Sequence, residues 1–291
     1  MVGPIEAFNF NPGTLAIPRS RLTEPSLESH CYDPKLSPIA QYQNAAKDID
    51  ILKVKVNNIW KSKLDVSFIH SATTFTTLLS YALALKSQKK YVLLTSSHEH
   101  FGGIQAFENL NENYQIVYLM DENLATLENF LKAIEFHKPD ILFLSHICYD
   151  TGWELPISKY GEILKSITPK SIFIVDAAQS LGLINLPETK NIDVMFGSSH
   201  KWLAGPQGMG ILWTSVFFRS LVKSIYLLTG SSGSRTDGFE VAGGRDFSLY
   251  ASMLNSLDEY QSTGIQTVEK KTRALSDYFW RLIKVCFKKH N

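Results

Sequence analysis

Residues 171–213 read SIFIVDAAQSLGLINLPETKNIDVMFGSSHKWLAGPQGMGILW. The alternation is strand, turn, strand, turn, strand. Ser171–Val175, Ile192–Phe196 and Met209–Trp213 are short apolar runs, the first rich in β-branched residues, of the kind that form strands covered on both faces. Parallel sheets flanked by helices contain such strands, and they bind ligands beyond the carboxyl ends. The first run delivers Asp176 to that end, and the second delivers Ser198, His200 and Lys201. Gly205, Pro206, Gly208 and Gly210 form the loop that leads into the third. A carboxylate and an amine therefore converge.

Working outward, Val66–His70, Tyr91–Thr95, Gln115–Leu119 and Asp140–Ser145 read as further strands. Apolar residues at steps of three and four predict helices over Pro38–Trp60, Leu124–Phe136 and Ile157–Ile167, and Ser71 starts another that reaches Lys86. The repeated βαβ order implies an α/β fold with a largely parallel sheet and helices on both faces. Past Trp213 come a short helix over Val216–Tyr226, a Gly- and Ser-rich loop ending GGRD, and a helix over Phe247–Tyr260 broken at Gly264. A final helix sets Val268, Leu275, Phe279, Leu282 and Cys286 on one face, an apolar stripe that needs a partner to cover it.

At 291 residues the chain can bury roughly three quarters of its unfolded surface in one large domain and part of a second. A net charge of +1 makes no case for nucleic acid or an anionic membrane. Three cysteines, Cys31, Cys148 and Cys286, are too few and scattered for a disulfide framework, which favours a reducing compartment. With no signal-like start and no membrane-length apolar run, the expected location is the cytoplasm.

The pairing of Lys201 with Asp176 points to pyridoxal phosphate. A lysine that forms a Schiff base must shed its proton, which partial desolvation among Trp202, Leu203 and small glycines encourages. An aspartate at a strand end is placed to keep a pyridine nitrogen protonated, so that the ring accepts electrons. At the start of the Ser71–Lys86 helix, free backbone N–H groups and short hydroxyls in SATT form a phosphate cradle, or equally an ordinary helix cap. His98, Glu99 and His100 lack a third ligand group at a usual metal spacing, so no metal is expected.

VDAAQ, SSHKW and GPQGMGILW, in that order, resemble the signature of the class V aminotransferase family of fold type I pyridoxal-phosphate enzymes. The resemblance lies closest to the isopenicillin N epimerase-like and cysteine desulfurase-like branch. It implies a mostly parallel seven-stranded sheet sandwiched by helices. It also implies that Lys201 carries the Schiff base, Asp176 pairs with the ring nitrogen, Gln179 bonds the ring hydroxyl oxygen, and Ser198 and His200 hold the phosphate with Ala72 and Thr73. His100, in a Glu-His pair with Glu99, stacks on the ring face. Tyr149 stands where the family usually has an Asn that helps hold the ring oxygen. An NPG opening, with Asn11, Gly13 and Thr14, lines the entrance, and GGRD resembles GTRD, which puts Arg245 near substrate or cofactor. For Arg245 a surface salt bridge with Asp246 is an equal reading.

The expected activity is thus epimerase, C–S lyase or transaminase chemistry on an amino acid or amine. Cysteine desulfurase is the alternative, and a noncatalytic relative serving as a binding or scaffold protein is the rival from another class. Homodimers are the family norm, with Gln207 a candidate to reach the neighbouring subunit. The expected division is an arm and helix over 1–62, a cofactor-binding large domain over 63–246, and C-terminal helices over 247–291 where the family continues into a small domain.

Overall fold

The computed structural model describes residues 35, 37–86, 88–222, 246 and 248–288. Helix α1 (Pro38–Trp60) comes first; the Ser37 hydroxyl caps it by accepting the Ala40 amide (3.2 Å). Then follow β1 (Asp65–Ile69), α2 (Ala72–Lys86), β2 (Tyr91–Ser96), α3 (Phe101–Asn109), β3 (Tyr114–Leu119), α4 (Asp121–Ala125) and α5 (Leu127–His137). The remainder is β4 (Ile141–Ser145), α6 (Ile157–Ile167), β5 (Ile172–Asp176), β6 (Val194–Ser198), β7 (Gly210–Thr214), α7 (Val216–Val222), α8 (Ser248–Thr263) and α9 (Ile265–Lys288).

The strands form one seven-stranded sheet in the order β1-β7-β6-β5-β4-β2-β3. Only β7 runs against the rest, antiparallel to both β1 and β6. Side chains alternate across a strand, so each strand feeds two cores. Leu142, Leu144, Phe173 and Val175 join residues of α1, α5, α6 and α8 on one face. Ile141, Phe143, Ile172 and Ile174 join α2, α3 and α7 on the other. The fully buried Trp213 of β7 meets Trp60 edge-on at 5.7 Å, and Trp60 stacks on Tyr260 at 5.8 Å, which ties α1 and α8 to each other on that first face of the sheet.

A second anchor is ionic. Asp193, just before β6, takes the Lys165 amine of α6 (2.6 Å) and the Phe173 amide (2.9 Å) on one oxygen and the Ser215 hydroxyl (3.0 Å) on the other. The same lysine donates to the Ser171 carbonyl (2.5 Å). With Asp193 so occupied, ladder pairing on β6 begins at Val194, two residues later than the apolar run suggests.

Two helices differ from expectation. The run 124–136 is split: Thr126 is extended and caps α5 by accepting the Asn129 amide (3.1 Å), which leaves α4 as a separate turn. Helix α3 was not anticipated, because Gly102 and Gly103 at its start lower helix propensity. Tertiary contact decides there. A Cβ on Gly102 would lie 2.6 Å from Thr73 Oγ1, and one on Gly103 would lie 3.1 Å from the Phe143 ring. Along α9, Ile265 and Val268 pack against the core, whereas Leu275, Tyr278, Phe279, Trp280 and Leu282 are exposed. Arg273 links the helix to Glu154 (2.8 Å) and pairs with Glu269 (2.8 Å) one turn earlier on α9 itself.

Chain order reverses between β4 and β2: from β2 the chain runs outward to the edge strand β3, then returns to place β4 on the other side of β2. Crevices at such switch points, beyond the carboxyl ends of the strands, are where open α/β sheets bind ligands.

Candidate active site

A cleft of about 340 Å³ opens at that point. It brings together Ala72 and Thr73 after β1, His100 after β2, Tyr149 after β4, Asp176 and Gln179 at and beyond the end of β5, and Ser198, His200 and Lys201 at and beyond the end of β6. Every candidate for holding the cofactor among the described residues thus lines one cavity, whereas Gln207 does not. Asn11, Gly13, Thr14, Arg245 and Cys31 lie outside those residues, and of Cys286 only the helical backbone is described.

Lys201 sits in a loop closed at its base. Ser198 is paired with Gly210, the Ser199 amide donates to the Met209 carbonyl (3.1 Å), and the Gly205 amide returns to the Ser199 carbonyl (2.8 Å). The Ala204 amide donates to the Lys201 carbonyl (3.0 Å), with Ala204 in the left-handed region at φ 55°. Burial lowers the Lys201 pKa, and the charge of Asp176 opposes that shift only in part. The amine is thereby moved toward its nucleophilic, neutral form.

Asp176 is buried, and its Oδ1 accepts the Ala178 amide (2.7 Å). Its Oδ2 faces Gly103, where an added Cβ would come within 3.7 Å. Burial raises its pKa against the pull of that amide and of Lys201. Ser145, the register partner of Asp176 on β4, donates its amide (3.0 Å) and hydroxyl (2.5 Å) to Glu99, which also takes the Ser96 hydroxyl (2.7 Å). Three donors favour the Glu99 carboxylate, but burial outweighs them and, with Asp176 nearby, pushes its pKa up to about 7.

His100 caps α3, its Nδ1 accepting the Gly102 amide (3.1 Å), so the proton of the neutral ring rests on Nε2. Burial and the Lys201 charge lower its pKa. Tyr149 meets the His100 ring edge-on at 5.0 Å, and its own ring is half exposed at the cleft mouth. His98 points away from the cleft, bridging Asp150 (2.8 Å) and Asp121 (2.8 Å), contacts that raise its pKa. His200 is depressed by burial and by Lys201, and its Nδ1 is buried with no hydrogen-bond partner among the described residues.

The cleft also contains residues that sequence reasoning did not single out: Gly102, Gly103, Ser145 and Ile147. The adjacent glycines after His100 were the available signal, since paired glycines mark close backbone approach.

Residues 8–285 match the family model described as aminotransferase class-V. The chain belongs to the class-V aminotransferase family. Among curated relatives, cysteine desulfurase IscS of Haemophilus ducreyi is 35% identical over 126 residues, which is 42% of this chain and 30% of that protein. IscS of Shewanella woodyi is 30% identical over 179 residues, 58% of this chain and 42% of that protein. These alignments therefore span less than half of the relatives' length. Among solved structures, a cystine C–S lyase, C-DES, in complex with cysteine persulfide matches with TM-score 0.75 and 22% identity, over 93% of this chain and 76% of that one. A cysteine desulfurase from Thermococcus onnurineus matches with TM-score 0.74 and 16% identity, over 94% and 69%. These likenesses show the fold.

The cofactor of class-V aminotransferases is pyridoxal 5'-phosphate, and the residues present fit it. The unpartnered His200 Nδ1, the amides that open α2, a depressed amine and a buried carboxyl face one cavity. A phosphate, a formyl group and a pyridine nitrogen call for that donor set.

Proposed function

We propose that this class-V aminotransferase acts on an amino acid or other primary amine, with Lys201 as the covalent attachment point and base. The observation that supports it most is the opening of the Lys201 amine and the Asp176 carboxyl into one cleft, with burial shifting the amine toward its neutral, nucleophilic form. Pyridoxal phosphate, when bound, supplies a formyl group that condenses with amines and a ring that accepts an electron pair from the substrate's α carbon.

The remaining work belongs to the chain. Lys201 would hold the group through its amine and would serve as the base that moves a proton at the substrate's α carbon. Asp176 would keep a proton at the pyridine nitrogen, one of its oxygens, Oδ1, being engaged by the Ala178 amide. Ser198, His200 and the Ala72 and Thr73 amides would hold the phosphate, aided by the α2 dipole. His100 would cover one face of the ring and exclude water there, and Tyr149 borders the entrance. The reaction is epimerisation, C–S cleavage or transamination.

Cysteine desulfurase is the second reading, favoured by the activity of the curated relatives. It requires a mobile, reactive thiol, and Cys148 is a poor candidate: it is buried, and burial pushes its pKa up to about 12. Borohydride reduction of the loaded protein followed by peptide mass spectrometry tests the proposal. The adduct is expected on Lys201; a protein that stays colourless, or an adduct on another lysine, rejects it.

A further inference from the structure

Trp202, the residue after Lys201, turns its indole toward Gln179, and Nε1 lies 2.8 Å from Gln179 Oε1. An indole N–H is a donor only. It therefore determines which end of the amide it meets: with the amide flipped, its NH₂ would face the indole N–H, donor against donor. Gln179 lines the cleft, so with its oxygen held by Trp202 the NH₂ is the end turned away from the indole.

Backbone packing fixes the pairing. Gln179 and Gly182 lie in one turn, closed by the Ser180 and Leu181 amides on the Ala177 carbonyl (3.0 and 2.8 Å). Gly182 rests against the segment that carries the indole, where a Cβ would lie 2.9 Å from the Trp202 carbonyl carbon. Neither segment can slide past the other without a clash, so the donor and acceptor stay in register.

We propose that Trp202 is a positioning residue that orients the Gln179 amide to present its NH₂ to an acceptor oxygen on the bound ring. This rests on the proposed function, because the acceptor is the ring hydroxyl oxygen of the cofactor. The role passes through Gln179, and Trp202 itself need not touch the ligand.

The test is a double-mutant cycle on the full chain loaded with pyridoxal phosphate, read by cofactor dissociation constant and by the absorption maximum of the bound cofactor. Trp202→Phe keeps the shape but removes the donor, and is expected to weaken retention about tenfold, the scale of one lost hydrogen bond. Gln179→Ala is expected to weaken retention at least as much and to move the absorption maximum to the same position. Adding Trp202→Phe to Gln179→Ala should then change neither readout. Gln179→Glu provides a second arm: its carboxylate still accepts from the indole but has no N–H to give, so it should behave as Gln179→Ala. Equal, additive effects of Trp202→Phe in both backgrounds, or no effect in either, would overturn the inference. Failure of the native chain to take up pyridoxal phosphate would instead reject the functional reading, and this inference with it.

Discussion

Gly182 and Leu203 touch backbone to backbone: a Cβ built on Gly182 would lie 2.5 Å from the Leu203 amide nitrogen and 2.6 Å from its Cα. Gly182 also has φ +88°, in the left-handed region that side chains rarely adopt. The two constraints compound. Gly182→Ala must displace the loop that carries Lys201, and is expected to destabilise the fold by at least about 2 kcal/mol. Urea unfolding checks the stability, and pyridoxal phosphate uptake should fall as well.

Lys201 is expected to show a trade between stability and chemistry. An amine whose pKa is lowered by burial costs folding energy at neutral pH, where the unfolded chain carries the charge freely. Lys201→Met should therefore abolish the borohydride-trapped adduct while leaving the urea midpoint at pH 7.5 equal to or above that of the native chain. A large fall in the midpoint would contradict the stated cause of the shift.

Glu99 makes stability depend on pH. Its folded pKa is about 7 against an ordinary value of 4.5, so between those values the folded state holds a proton that the unfolded state has released. Stability then falls as pH rises through that window and is flat on either side, as far as this group is concerned. Asp176, shifted the same way, adds to the fall. Glu99→Gln should flatten its share, worth on the order of 3 kcal/mol at most, in urea midpoints compared at pH 5 and pH 8.

Asp193 should be costly to remove. Asp193→Ala strands the Lys165 amine and frees the Phe173 amide and the Ser215 hydroxyl, three contacts that join α6 to the starts of β5 and β6 and the end of β7. Breaking one side of a buried pair costs roughly 3 to 5 kcal/mol. Thermal unfolding of that variant beside Asp193→Asn, which keeps an acceptor, separates the charge from the hydrogen bonds.

Much of the fold was legible because its strands are covered on both faces, which leaves uninterrupted apolar runs such as Ile172–Val175 and Ile141–Leu144. The cleft was legible for a related reason: Asp176, Ser198 and Lys201 stand at or just past the ends of those runs. Less visible was anything set by strand neighbours. Glu99 and Ser145 are 46 residues apart in sequence and meet only because the chain places β4 beside β2. Helix α3 was hidden by glycines that serve close packing rather than helix formation. The antiparallel course of β7 leaves no trace in its composition.

That antiparallel course has one more consequence. Because Ser198 and Gly210 are opposite one another on adjoining strands, the segment bearing Lys201 leaves the sheet and rejoins it at a single place, away from either edge. The Lys201 backbone is therefore anchored on both sides, so gradual fraying at the rim should leave it at its address. Colour bound at that lysine would then report on the interior of the molecule, fading only when the ladder between β6 and β7 unzips.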